Sequence, residues 1–135
     1  MTVIACIDAC NGMLFHKRRV SADRVVIEKI LAMADGAPIL MNPYSVGLFP
    51  ESANVIISRD YLNLAQTGQI CFAESEGLGQ YLHKARKVIL FQWNRQYPSD
   101  VKFPKELLQD PWKLVSVTDF PGYSHNQITQ EVYAR

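Results

Sequence analysis

Four short stretches of this 135-residue chain are apolar without interruption: Val3-Ile4-Ala5-Cys6-Ile7, Ile39-Leu40-Met41, Val55-Ile56-Ile57 and Val88-Ile89-Leu90-Phe91. A strand with one wet face alternates apolar and polar side chains, whereas a strand covered on both faces does not. The four runs therefore predict doubly covered strands of a mainly parallel sheet, with helices above and below. Ile70-Cys71-Phe72-Ala73 is a weaker candidate of the same kind. Ile27, Ile30, Leu31 and Ala34 recur at helical spacing and predict a helix over Ala22 to Ala34, with Ser21 as N-cap and Gly36 as stop signal. A shorter helix is predicted from Ser75 to Ala85, turning Leu78, Tyr81 and Leu82 inward, although Gly77 and Gly79 weaken it.

The last third changes character. Trp112 to Thr118 and Ile128 to Tyr133 partly alternate and flank Pro121-Gly122, which predicts an antiparallel hairpin closing the sheet. Strand, helix, strand order implies right-handed crossovers and puts ligands beyond the carboxyl ends of the strands. Chemistry is therefore expected in the loops after Ile7, Met41, Phe72 and Phe91. A single α/β domain over 1–135 accommodates all of these elements.

Composition narrows the picture without redrawing it. The 48% hydrophobic and 20% charged fractions are ordinary for a globular chain. A formal net charge of +1 favours neither nucleic acid nor an acidic membrane surface, and a nucleic-acid role has only the Lys17-Arg18-Arg19 cluster and Trp93 in its support. Three cysteines without a CxxC pair argue against a disulfide framework or structural zinc, and Cys6 and Cys71 read as small buried hydrophobes. His16, His83 and His125 lack ligand-like spacing, so no metal is expected. Met1 to Ile7 has no basic start or long apolar stretch, and no run approaches the roughly 20 apolar residues of a membrane helix. The expectation is a cytoplasmic protein with a small-molecule ligand and no membrane partner. No GxxxxGK, HExxH or GxSxG motif occurs.

Set in this order of elements, Tyr81-Leu82-His83-Lys84-Ala85-Arg86-Lys87-Val88-Ile89-Leu90, with Phe103-Pro104 and Trp112 after it, resembles part of the dihydrofolate reductase family. The likeness is to a helix, a Lys-Ala-x-Lys approach to a central strand, and two later landmarks. Ile4 to Ile7 with Asn11-Gly12-Met13-Leu14 resembles the family's first strand and the start of its mobile active-site loop. Pro38 to Met41 and Asn54 to Ser58 resemble two further core strands. The likeness runs over most of the chain as a skeleton with shortened loops. It implies a three-layer α/β/α fold with a mainly parallel central sheet and a C-terminal antiparallel hairpin, and an NADPH-dependent reductase of folate or a related planar substrate. Asp23 matches the family's acidic residue under the pterin ring, which assists protonation during hydride transfer. Ala5 and Ile27 are implied as substrate contacts, and Asn42, Tyr44, Ser45, Ser58, Arg59 and Ser75 as cofactor contacts. An acid in the first turn of a helix is also what the helix dipole favours.

The chain departs from that pattern at several points. Phe15 replaces a small residue, and the Pro-Trp of the loop has no counterpart before Ser21. Ala73-Glu74-Ser75 stands where the family has two glycines, whose backbones approach the cofactor pyrophosphate. Glu74 and Glu76 add negative charge there. Asn42-Pro43-Tyr44-Ser45 keeps only the hydroxyl of a basic-Thr pair, Glu51-Ser52-Ala53 lacks the arginine for the substrate carboxylate, and Phe91 replaces the hydroxyl partner of Asp23.

The same loops carry a different polar set. Lys17, Arg18, Arg19, Ser21 and Arg24 flank the first loop and helix start, Trp93, Asn94, Arg95 and Tyr97 follow the central strand, and Tyr123, Ser124 and His125 lie in the last hairpin. Together they suggest a pocket for a phosphorylated or carboxylated planar ligand, with Arg18, Arg19, Arg24, Trp93, Asn94 and Arg95 as contacts and His125 as acid or base. Solvated loops and core packing produce similar sets of residues. Three readings stay open: a divergent reductase, a different enzyme on the same scaffold, and a non-catalytic binding or regulatory protein.

Overall fold

Every apolar run becomes a strand in the computed structural model, which describes residues 1–135. In chain order the strands are β1 (Thr2–Ile7), β2 (Gly12–Phe15), β3 (Arg18–Arg19), β4 (Ile39–Met41), β5 (Val55–Ile57), β6 (Ile70–Phe72), β7 (Lys87–Gln92), β8 (Val101–Lys102), β9 (Lys113–Phe120) and β10 (Ile128–Ala134). Seven of them form one mixed sheet in the order β5-β4-β6-β1-β7-β10-β9. The first five in that order run parallel, β10 is antiparallel to β7, and β9 is antiparallel to β10. β3, β2 and β8 make a small second sheet that the polar-apolar pattern did not signal.

Alternation along β1 sends its side chains into two separate cores. Ile4 joins Met41, Phe72, Phe91 and Trp93 beneath α1 (Arg24–Ala34), while Val3, Ala5 and Ile7 face the opposite side with Leu90, Tyr61 and Phe103. The predicted pair of helical layers is half realised. α1 covers one face through Val26, Ile27, Ile30 and Ala34. The other face is covered by the one-turn helix α2 (Tyr61–Leu64), short 3₁₀ turns and the region of the small sheet. β5 also departs from the doubly covered expectation: as an edge strand it leaves Ile56 and Ile57 exposed.

Two local expectations are corrected. α1 begins at Arg24 and its N-cap is Asp23, whose extended backbone lets the carboxylate accept the Val25 N–H at 2.9 Å. Ser21 lies two residues too early and is engaged elsewhere. The stretch Ser75 to Ala85 is no α-helix but two 3₁₀ turns, Leu78–Gln80 and Leu82–Lys84, preceded by Gly77 in the left-handed region at φ 73°. Leu78 and Leu82 are still buried, so the apolar positions were informative about burial although not about helix type.

Candidate functional site

The loops after β1 and β7, the start of α1 and the β9–β10 hairpin meet at one end of the sheet. Asp23 is their common point. Its Oδ1 accepts the N–H groups of Val25 and Tyr123, each at 2.9 Å. Its Oδ2 accepts the Ser124 N–H at 2.9 Å, the Ser124 hydroxyl at 3.2 Å and His125 Nδ1 at 2.9 Å. Five donors saturate the roughly four acceptor positions of a carboxylate. Burial by itself would raise the pKa of Asp23, but the Tyr123 N–H, the His125 ring and the Ser124 and Val25 N–H groups outweigh it and hold the carboxyl well below the usual range. An ionised Asp23 accepts only, so His125 carries its proton on Nδ1. In the neutral imidazole Nε2 is then the acceptor, and the Ser21 hydroxyl lies 2.9 Å from it. The indole of Trp93 stacks on the imidazole, with centroids 4.6 Å apart and planes 21° apart. The Tyr97 hydroxyl lies 3.5 Å from both Ser21 Oγ and His125 Nε2. Buried Asp8 fixes the approach of Tyr97: its Oδ2 accepts the Tyr97 N–H, and its Oδ1 accepts those of Cys10 and Gly12.

A second network lies beneath β3. Arg19 donates from Nε to Glu74 Oε2 at 2.8 Å and from Nη2 to Oε1 at 3.0 Å, a bidentate pair with Glu74 buried. The Ser45 hydroxyl donates to Glu74 Oε1 at 2.8 Å, and Asn42 donates to the Glu74 carbonyl at 3.1 Å. The Arg19 guanidinium stacks on the Tyr44 ring at 4.3 Å, and the Tyr44 hydroxyl accepts the Arg19 N–H. Glu74 is therefore a structural counter-ion for Arg19, a role its sequence neighbours did not announce.

Three spaces adjoin these networks. Beyond β4 a cleft of about 370 Å³ is lined by Asn42, Pro43, Tyr44, Arg59, Tyr61 and Ser75. Between Cys6, Asp23, Ile27, Phe72, Glu74 and Trp93 only about 10 Å³ is open, the space of a single water. An open groove of about 600 Å³ runs past Phe15, His16, Arg18, Arg19, Tyr97 and Pro98.

The expected site residues divide accordingly. Asn42, Tyr44, Arg59 and Ser75 share the cleft. Ser45 is fully buried on Glu74, and the Ser58 hydroxyl accepts the Asp60 N–H in a turn, so neither faces it. Ala5 is corrected: its side chain lies on the face of the sheet opposite Ile27, and its neighbour Cys6 lines the small space with Ile27 and Asp23. Asn94 braces the loop, donating to the Gln127 carbonyl and the Thr129 hydroxyl. Arg24 stacks on Tyr123 at 3.8 Å, Arg19 is committed to Glu74, and Arg18 lines the open groove. Arg95 is exposed and holds the loop after β1 through its carbonyl, which accepts the Ala9 N–H. The arginines thus do not converge on one anion, whereas Ser21, Asp23, Trp93, Tyr97 and His125 do come together. Asp8 and Tyr61 carried no readable signal. Burial pushes the Tyr61 phenol up to about 12, and its oxygen lies 2.6 Å from the Ser75 hydroxyl.

NADPH, which the resemblance implies, can be tested against these spaces. The cleft offers a guanidinium, hydroxyls and two aromatic rings, which fit a phosphorylated planar group. A nicotinamide and a pterin would have to meet beside Asp23, where there is room for one water. Glu74, at the position where the resemblance implies a glycine beside pyrophosphate, is a buried carboxylate. The lining does not fit an extended dinucleotide in this arrangement. The chain matches no family model, and no curated protein matches it either.

Proposed function

We propose that the chain is a divergent protein of dihydrofolate-reductase-like architecture that binds a small phosphorylated or carboxylated planar molecule and does not reduce folate. The central parallel strands, α1 after the first strand and the antiparallel β9–β10 hairpin support the architecture. One observation carries the ligand class: Arg59 makes no ion pair and lines the cleft beside the Tyr44 and Tyr61 rings. An arginine fork holds phosphate or carboxylate bidentately, while aromatic rings accept a planar body. The saturated carboxylate of Asp23 argues against the reductase reading, because no acceptor position is left for a pterin.

Thermal unfolding with adenosine monophosphate, dihydrofolate or NADPH as probes tests the proposal, since a ligand of the folded state raises the midpoint. Adenosine monophosphate raises it, and Arg59→Ala weakens that binding by about tenfold or more, the loss of one charge-assisted contact. Nicotinamide absorbance stays constant in the presence of dihydrofolate. A steady loss of that absorbance, abolished by Asp23→Asn, contradicts the proposal.

A further inference from the structure

We infer that Ser21, His125 and Asp23 form a nucleophilic relay able to cleave an ester, with Ser21 lining the small space beside Asp23 and reached from the groove walled by its neighbour Val20 and by Tyr97. The relay is independent of the Arg59 cleft and of any ligand bound there. It stands on geometry. Ser21 Oγ to His125 Nε2 is 2.9 Å, His125 Nδ1 to Asp23 Oδ2 is 2.9 Å, and Asp23 is further held by three backbone N–H groups. Such a chain is recognised by roles and distances and recurs on unrelated folds. Asp23 and Trp93 act as positioning residues, fixing the tautomer and the plane of the imidazole. His125 is buried while Ser21 is half-buried, so the hydroxyl is the member of the chain nearest solvent.

In the step, Ser21 Oγ bonds to the ester carbonyl carbon and its proton passes to His125 Nε2. The carbon–oxygen bond to the leaving alcohol breaks, and the alkoxide takes that proton. Water then attacks the acyl-serine, giving its proton to His125 and its hydroxyl to the acid, and Ser21 Oγ regains a proton as it leaves. Ester and water yield acid and alcohol. The residue after a nucleophilic serine often supplies an oxyanion donor. The N–H of Ala22 has no acceptor within the protein.

The groove sets the substrate class. Tyr97, whose hydroxyl lies 3.5 Å from Ser21 Oγ, is part of its wall, and Phe15 and Pro98 add apolar surface. Arg18 has no ion-pair partner there. An ester of a small molecule carrying a second, anionic group fits this lining.

Diisopropyl fluorophosphate tests the nucleophile: Oγ–phosphorus forms, phosphorus–fluorine breaks, and the hydroxyl proton goes to His125. Peptide mapping is expected to find one adduct, on Ser21, absent in Ser21→Ala and formed about 100-fold more slowly in His125→Asn. Because the histidine variant can lose its fold, Ser21→Cys in a Cys10→Ser background gives a second reading. The introduced thiol, beside His125, is expected to react with iodoacetamide at pH 6 at least about tenfold faster than Cys10 does in the parent. Arg18→Ala is expected to lower kcat/KM for p-nitrophenyl hemisuccinate about tenfold more than it lowers that for p-nitrophenyl acetate. No adduct, an adduct on another residue, or a thiol no faster than Cys10 overturns the relay. Equal effects of Arg18→Ala on both esters overturn the substrate class.

Discussion

Asp23 illustrates how one side chain can be read in two ways. The resemblance makes it an acid turned toward a substrate, whereas here it caps α1, pins the β9–β10 hairpin and orients His125. Asp23→Asn retains the shape but exchanges acceptor oxygen for a donor, and is expected to cost about 2–3 kcal/mol at neutral pH. The sign with pH follows from the lowered pKa. The unfolded chain takes up the proton first, so the contribution of Asp23 is full above about pH 4 and is lost as pH falls toward its value in the fold. Urea unfolding from pH 7 to pH 2.5 is expected to show an acid slope that Asp23→Asn reduces; identical slopes would contradict the assignment. The thiols give a second residue-level check. Cys10 is exposed, burial raises the Cys6 thiol and pushes that of Cys71 up to about 11, so one thiol reacts rapidly with Ellman's reagent at pH 8.

Asp23 and His125 were both legible as candidates because they sit at strand or helix ends. Their hydrogen bond spans 102 positions, which no local pattern encodes. The one-residue slip from Ala5 to Cys6 has a similar cause: within an uninterrupted apolar run, nothing in the sequence says which alternate residues face which core.

The β9–β10 hairpin is the element that makes the site. Its turn lies so close to α1 that a Cβ on Gly122 would sit 2.6 Å from Asp23 Oδ2 and 2.7 Å from Ile128 Cδ1. Gly122 supplies close approach, and the turn signal Pro121-Gly122 marked the hairpin without revealing this contact. Gly122→Ala is expected to cost about 1–3 kcal/mol by overpacking. It should also abolish Ser21 labelling, whereas a variant with wild-type stability and labelling would contradict the packing. α1 shows the opposite balance. Its period of apolar residues fixed the face it buries, while its start depended on which side chain reached the Val25 N–H. The stretch Ser75 to Ala85 failed as a helix where glycine conformation overrode apolar spacing.

Across the molecule, the sheet separates two cores and gathers its polar loops at one end. Chain-wide hydrophobic pattern was sufficient for the central parallel strands, because full burial on both faces removes polar residues from them. It was insufficient for the small sheet β3-β2-β8, whose short strands carry few positions each. No helix is long and apolar enough to cross a membrane. The polar end holds two assemblies of different character. Around Asp23 the donors and acceptors satisfy one another, and around Arg59 a cleft of about 370 Å³ leaves a guanidinium without a counter-ion. That division predicts where an anionic planar ligand goes and which groups it leaves undisturbed.

The most direct measurement is a nitrogen–proton NMR titration of the uniformly labelled protein with adenosine monophosphate. The expected result is progressive shifts at Asn42, Tyr44, Arg59 and Ser75, while the Nδ1 proton of His125 stays fixed on Asp23. Shifts centred on Ala22, Asp23 and His125, with Arg59 and its cleft unmoved, would contradict it.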